Sequence, residues 1–421
     1  MGLLLVIFSL PQQKIAMSKS SFFTGQPIFN QVLSFIPRRE IASIAKACQS
    51  DRYCKTFGTY EHLVTMLYSI LNRCDSLREV TTGLLAWDQR IAHLGLKGHP
   101  RRSTLSDANK RRSEQVFEKI YFKLLSRYQS LLPDSRKKTK KDNLYIFDST
   151  SIALFQEILK ASGLSGADGK RKGGIKVHTL LHSASDSPTM IRYSPSAQSD
   201  VTFLKQVKLP RRSVLVFDKG YMDYNSYNRF TSDGVTFVTR LDDRSVYRII
   251  QQQDVNTHQQ KQGVQRDELI ILGYTYRKKA IQVPSRIVTY TDPHSLKQFQ
   301  FLTNNNQLAP ATIANYYRQR WQIETFFKRI KQNYPLQYFL GDNENAIKIQ
   351  IWCALIADLL LKVIRLGSRS KISFSNMVAL VRIHLMTYMD LTSFLRSPEK
   401  SLLKRAKRIE THTITPSLFI T

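Results

Sequence analysis

The chain has 421 residues, 42% of them hydrophobic, enough for one large core or two domains and too many for a disordered tail or an isolated peptide. Lysine and arginine total 63 against 32 acidic residues, a formal charge of +31 that calls for a polyanionic partner. The cations fall in clusters between structured segments instead of along one amphipathic helix beside an anchor, which points to nucleic acid and away from a membrane surface.

The opening MGLLLVIFSLPQQ is apolar but lacks the positive flank and cleavage site of a secretory signal; Met17 reads as the natural start, and 1–27 as an N-terminal extension. From Phe29 to Leu132, apolar residues recur at three- and four-residue spacing, as in EHLVTMLYSILNRC and SEQVFEKIYFKLLSRY, which predicts an all-helical N-terminal domain over 28–135. Within it, GLKGHPRRSTLSDANKRRS joins a Gly/Pro turn, a Ser103 placed to cap a helix, and the cations Arg101, Arg102, Lys110, Arg111 and Arg112. Such a helix suits a DNA groove, and suits equally well the solvated face of a basic protein. Cys48, Cys54, Cys74 and Cys353 form no CxxC pair and have no histidine at zinc-finger spacing, so four reduced, mostly buried thiols are expected.

RKKTKKD, from Arg136 to Asp142, reads as a linker and places a boundary near 135–142. Five β-rich runs follow, NLYIFDST, GIKVHTLLH, TMIRYSPSA, SVLVFDKGY and VTFVTRLDD, which with helical connections imply an α/β sheet. SGLSGADGKRKGG has Leu164 and Arg171 where a phosphate-binding P-loop needs Gly and Ser or Thr, and reads as a flexible loop. His178 and His182 would share one strand face, a pair more often structural than metal-binding, and no role is assigned to them. Residues 242–305 look like a strand-rich insertion around the glutamine-rich loop QQQDVNTHQQKQ. A helix is predicted from near Pro310 to just before Pro335. Ile349 to Ile364, interrupted by Gln350, Asp358 and Lys362, is too short to span a bilayer comfortably and reads as a buried core helix, followed by a basic helical region at 366–421.

Asp148 in LYIFDST and Asp218 in SVLVFDKG each end an apolar run, where a carboxylate is costly unless paired or bound to metal. A third acid, Glu324, stands in YYRQRWQIETFFKRIKQNYP. On a helix turning 100° per residue, Tyr317, Arg320, Glu324 and Lys331 fall within an arc of about 60°. Ile323, Phe327 and Ile330 lie beside that arc, so the helix can pack on the sheet while aiming its polar row at the sheet's edge. Each acid alone is as well explained by a turn, a cap or a surface ion pair. Together they suit hard cations such as Mg²⁺, bound as a pair that activates a nucleophile at a phosphodiester. Arg320 and Lys331 suit phosphate, and Tyr317 suits a base or phosphate. No side-chain nucleophile signature is present.

The order of these acids resembles the ribonuclease-H-like core of DDE transposases, and more specifically the insertion-sequence-4 family. That family's signature is Tyr, two residues, Arg, three residues, Glu, six residues, Lys, and Tyr317, Arg320, Glu324 and Lys331 satisfy every interval. DKGYMDY, IFDST and FLTNN also resemble it, and the likeness covers about residues 28–365. The resemblance implies an α/β ribonuclease-H-like catalytic domain over 142–365 with a strand-rich insertion, between an all-helical N-terminal domain and C-terminal helices. It implies that Asp148, Asp218 and Glu324 bind two Mg²⁺ ions, with Mn²⁺ as a substitute, and that Tyr317, Arg320 and Lys331 hold DNA at the cleaved end. It further implies cut-and-paste transposition by a homodimer on double-stranded DNA, in the cytoplasm and at the nucleoid, with the C-terminal helices as candidate subunit contacts. A metal-dependent nuclease of the same core and an inactive DNA-binding repressor are the alternatives.

Overall fold

The computed structural model of the chain describes residues 25–133, 143–153, 174–195, 198–276 and 279–403. The apolar N-terminal run, the 136–142 linker, the glycine-rich loop at 162–173 and the basic tail beyond 403 lie outside the described residues.

Helices lead the described chain, as the apolar spacing predicts: α1 (Ile28–Leu33), α2 (Arg38–Ala47), α3 (Thr59–Asn72), α4 (Leu77–Ala86), α5 (Arg102–Arg111) and α6 (Glu114–Tyr128). Ser76 caps α4 by accepting the Glu79 amide, while the Glu79 carboxylate accepts the Asp75 amide in return. Ser103 does not cap α5. The helix starts at Arg102 with no side-chain cap, and Ser103 is an exposed residue of its first turn.

Nine strands form one sheet in the order β3-β2-β1-β4-β5-β9-β8-β7-β6. The five expected runs become β1 (Asn143–Ala153), β2 (Gly174–His182), β3 (Ser187–Pro195), β4 (Ser213–Phe217) and β5 (Thr236–Arg240), with α7 (Tyr224–Ser232) joining the last two. β1, β4 and β5 are parallel, and β2 and β3 extend the sheet antiparallel beside β1. The strand-rich segment is an insertion in sequence but not in space. Its strands β6 (Tyr247–Gln253), β7 (Val264–Tyr276), β8 (Lys279–Thr291) and β9 (Gln298–Thr303) continue the same sheet. β9 pairs with β5 from Val238↔Thr303 to Arg240↔Phe301 and so supplies partners to an edge that would otherwise be bare.

The predicted helix begins at Pro310 and ends at Asn333, but it is two helices, α8 (Pro310–Arg318) and α9 (Trp321–Asn333). At the break the amides of Arg320, Gln322 and Ile323 bond three residues back, to Tyr317, Gln319 and Arg320. This tighter winding breaks the uniform 100° step on which a single polar stripe depends.

α10 (Glu344–Ser368) is the predicted core helix and is buried along nearly its whole length; α11 (Phe374–Ile383) and α12 (Leu391–Arg396) follow. The polar interruptions of α10 are satisfied within the fold: Gln350 donates to the carbonyls of Pro335 and Tyr338, and Asp358 pairs with Arg329 and Lys362. No helix among the described residues is long and apolar enough to cross a membrane. Side chains of α3, α6, α9 and α10 share one apolar core with Ile146, Ile175, Leu181 and Ile191 of the sheet. The helices on either side of the sheet in sequence therefore pack as one layer in space. Two cysteines, Cys74 and Cys353, are buried, whereas Cys48 is half-buried and Cys54 exposed; all four are free.

Candidate active site

Strand alternation decides which side chains meet. Leu144 of β1 and Val214 and Val216 of β4 point to the face that α8 covers with Ile313 and Ala314, while Phe147, Leu215 and Phe217 point into the opposite core. The parallel pairing of β1 with β4 ends at Phe147↔Phe217. The next residue of each strand is Asp148 and Asp218, so the two acids stand side by side on the α8 face where the strands stop pairing. Asp218 follows the last residue of β4, but Asp148 lies within β1, which runs on to Ala153 beside β2. The run LYIFDST is therefore not a strand end. Register carries the row one strand further: Val216 pairs with Val238, which sets Arg240 of β5 level with Asp218.

The helix break brings the other residues down to this row. The Tyr317 hydroxyl, at the end of α8, donates to Asp218 Oδ1 at 3.1 Å. Arg320, at the break itself, donates from Nη1 to Asp148 Oδ2 at 3.3 Å and from Nη2 to Glu324 Oε1 at 2.6 Å. Arg240 Nη2 lies 3.5 Å from Asp218 Oδ1, and the Tyr221 hydroxyl 3.5 Å from Asp148 Oδ1. Asp148, Asp218, Glu324, Tyr317 and Arg320 thus form one connected cluster, although no single helical stripe carries the last three.

Burial pushes the Asp148 carboxyl up to about 6, opposed by the Ser149 amide and Arg320 and reinforced by the like charges of Asp218 and Glu324. Burial, then the charge of Asp218, pushes Tyr317 up to about 12, so its hydroxyl keeps the proton it donates. Among the described residues no group of three Asp, Glu, His or Cys side chains is gathered to hold a metal ion. The donor set itself fits a hard cation. Its oxygens are all carboxylate, the donor type that hard cations take, and the like charges of Asp218 and Glu324, which add to burial in raising Asp148, are ones that a divalent cation would relieve.

Lys331 does not join the cluster. Its ammonium reaches β1 beyond Asp148, donating to Thr150 Oγ1 at 2.8 Å and to the Ser151 carbonyl at 2.9 Å. Of the N-terminal cations, Arg101 and Arg102 are exposed, Lys110 lies 3.9 Å from Asp342, and Arg111 pairs with Asp107 one turn earlier. Arg112 is withdrawn from any DNA face. Its side chain is 3% exposed and is held by Asp51, the Phe57 carbonyl and His62. A buried guanidinium with these acceptors ties the loop before α3 to the end of α5. His178 is buried, bonded to Ser194 and stacked on Phe203, and His182 bonds Ser185 and Asn143; both are structural contacts. Sequence reasoning missed Arg240 and Tyr221. Nothing in VTFVTRLDD or DKGYMDY distinguishes them, because the register between strands is what brings them to the acids.

A family profile described as "Transposase DDE domain" matches residues 139–360, which includes all three acids. The chain belongs to this DDE transposase family. The transposase family chain also matches a domain of unknown function over residues 24–97. A protein of Sinorhizobium fredii designated a transposase is 25% identical over 75% of this chain and 86% of its own length. One from Synechocystis, designated a transposase of the insertion sequence element IS4SA, is 27% identical over 62% and 71%. One from Geobacillus stearothermophilus, designated a transposase of the element IS5377, is 24% identical over 79% and 83%. Among solved structures, endonuclease V from Bacillus subtilis aligns over 52% of this chain and 96% of that one at 11% identity, with a TM-score of 0.19, too slight a likeness to bear on the fold.

Proposed function

We propose that this chain is an insertion-sequence-4-type transposase that binds the terminal inverted repeats of its own element, cuts there and joins the freed ends to new DNA. The observation that carries the reading is the meeting of Asp148 and Asp218, on adjacent parallel strands, with Tyr317, Arg320 and Glu324 from the α8–α9 break. The signature spacing supports the same subtype, as does the Synechocystis relative by its designation.

In this reading Asp148, Asp218 and Glu324 hold two Mg²⁺ ions, for which Mn²⁺ substitutes. Held by these carboxylates, the cations would supply activation of the attacking water or 3′-hydroxyl and stabilisation of the leaving oxygen of the phosphodiester. Arg320 grips a phosphate at the cleaved end through its planar fork, and Tyr317 orients the strand beside it while keeping its own proton. Lys331, donating to β1 in the free protein, is a second phosphate contact. Arg101, Arg102, Lys110 and Arg111 along α5 contact the duplex backbone farther from the cut. Two ends must be held together for joining, so the working assembly is a homodimer on double-stranded DNA.

The test is cleavage and strand transfer on the DNA that flanks the gene, with Mg²⁺ or EDTA, by the native protein and Glu324→Gln. Metal-dependent cutting and joining that vanish in the variant support the transposase. Cutting without joining by the native protein favours a nuclease of the same core, and binding alone a repressor.

A further inference from the structure

Arg240 is assigned no part in the reading above, yet it completes the row of side chains at which β1 and β4 stop pairing. It stands level with Asp218 on β5, with Nη2 3.5 Å from that carboxylate. Arg320 has the matching position on the other side, bonded to Asp148 and Glu324. The ring of Tyr317 lies between them, with the guanidinium carbons of Arg240 and Arg320 at 5.8 and 5.9 Å from its centroid. Three acids and two guanidiniums are thus interleaved around one tyrosine.

Two features occur together at both guanidiniums. The Nε–H groups of both Arg240 and Arg320 are buried with no hydrogen-bond partner. Their side chains are 34% and 15% exposed, so each is anchored in the fold but keeps some access to solvent. Arg286, by contrast, bonds both oxygens of Asp267 and the carbonyls of Asn305 and Leu308, and the structural Arg112, which also keeps a buried Nε–H without a partner, is closed to solvent at 3% exposed; it is the unpaired donor together with exposure that sets Arg240 and Arg320 apart. An arginine fork left incomplete beside carboxylates is suited to exchanging one anion for another.

We propose that Arg240 is a further phosphate-binding residue of this site, and that with Arg320 it forms a guanidinium pair that neutralises the three acids in the free protein and passes to the DNA phosphates as divalent cations take the acids. The inference rests on the metal-binding reading of Asp148, Asp218 and Glu324. Charge conservation gives the exchange its direction: cations at the acids displace two positive side chains, and the incoming phosphates receive them. Cation binding and DNA binding therefore assist each other, and in the DNA-free protein the arginines weaken cation binding.

The experiment is a calorimetric Mn²⁺ titration of the DNA-free protein, as wild type, Arg240→Gln, Arg240→Lys, Arg320→Gln and Glu324→Gln, with folding checked by thermal melts. A companion measurement follows the salt dependence of binding to a duplex carrying the flanking end sequence. Glu324→Gln is expected to weaken Mn²⁺ binding, which tests the underlying site. Arg240→Gln and Arg320→Gln are expected to tighten it about tenfold, because each removes a positive charge close to a divalent ion. Each is also expected to lower the magnitude of the slope of log K against log salt by about 0.9, the loss of one phosphate contact. Arg240→Lys keeps the charge and should hold Mn²⁺ affinity near the wild-type value. If Glu324→Gln weakens Mn²⁺ binding while Arg240→Gln leaves it unchanged, the exchange is wrong and the metal site stands. An Arg240→Lys variant that behaves like Arg240→Gln would also overturn it, and Glu324→Gln with unchanged Mn²⁺ binding would overturn the metal site itself.

Discussion

The same sheet carries two arginine–carboxylate clusters that look alike in composition and differ in every physical respect. On β7 and β8, Arg286 grips Asp267 through two bonds of 2.7 and 2.6 Å, with side chains only 3% and 5% exposed. Its remaining donors tie down the loop that leads into α8. Where β1 stops pairing with β4, Arg320 and Arg240 touch three acids through single bonds to each, and both keep an unpaired Nε–H. The first cluster is saturated and closed to water, which is what a structural pair must be to survive burial. The second is incompletely satisfied and open on one side, which makes it available to cations and phosphates.

That contrast can be broken or sharpened by substitution. The largest expected effect is at the open cluster: Asp148→Asn, Asp218→Asn or Glu324→Gln should each lower end cleavage by about 10³-fold or more, while DNA binding stays close to wild type and no variant loses stability. Normal cleavage in all three would remove the active-site assignment. At the closed cluster the effect should fall on stability instead. Arg286→Ala leaves Asp267 buried and alone, and urea denaturation should show a loss of about 3–5 kcal/mol. Replacing both partners together, Arg286→Met with Asp267→Leu, should recover most of that loss, since the isolated buried charge is what costs.

A smaller effect separates the clusters by sign. Asp148 has its carboxyl raised to about 6 in the fold against an ordinary value near 3.8, so the folded chain binds this proton more tightly than the unfolded chain does. Ionising Asp148 therefore costs the fold stability. The cost begins as pH rises past about 4, is complete above about 6, and is absent in acid. In the metal-free protein Asp148→Asn should accordingly raise stability by about 1–3 kcal/mol at pH 7.5 and change it little at pH 3, as read by denaturant melts at both values. By the same proton competition, Mn²⁺ binding should weaken as pH falls through about 6. An Asp148→Asn protein that is less stable at pH 7.5 would place Asp148 with the structural acids. The smallest effect is at α5, where Arg101→Gln and Arg102→Gln should each reduce the salt slope of DNA binding by about 0.9 with no change in melting. The buried Arg112, substituted by Gln, should instead destabilise the N-terminal helices.

Much of this was legible without coordinates. The helical periodicity from Phe29 to Leu132, the five β-rich runs and the apolar span of α10 follow from side-chain spacing, which local geometry enforces. Asp148 and Asp218 stood out because an acid ending an apolar run is costly, and Glu324 because of its neighbours' spacing. What sequence could not carry is pairing. No residue in VTFVTRLDD indicates that Arg240 comes level with Asp218, and no residue in QFQFLT indicates that β9 lies beside β5. Nor does YYRQRWQIE contain a proline or glycine to announce the break at Arg320, which shows only in the amide bonds to residues three back. Arg112 looked like one more exposed cation in a basic run and proved to be buried.

Sequence by itself therefore determined most of the elements, the candidate status of the acids and the cationic surplus, because propensity, periodicity and composition are local or additive. Tertiary structure decided which cations are free and which are spent inside the fold, and which acids face an arginine that is still incompletely paired. Those properties arise from strand register and from the way α8 and α9 break over the row where β1 and β4 stop pairing, where residues far apart in the chain share one desolvated space.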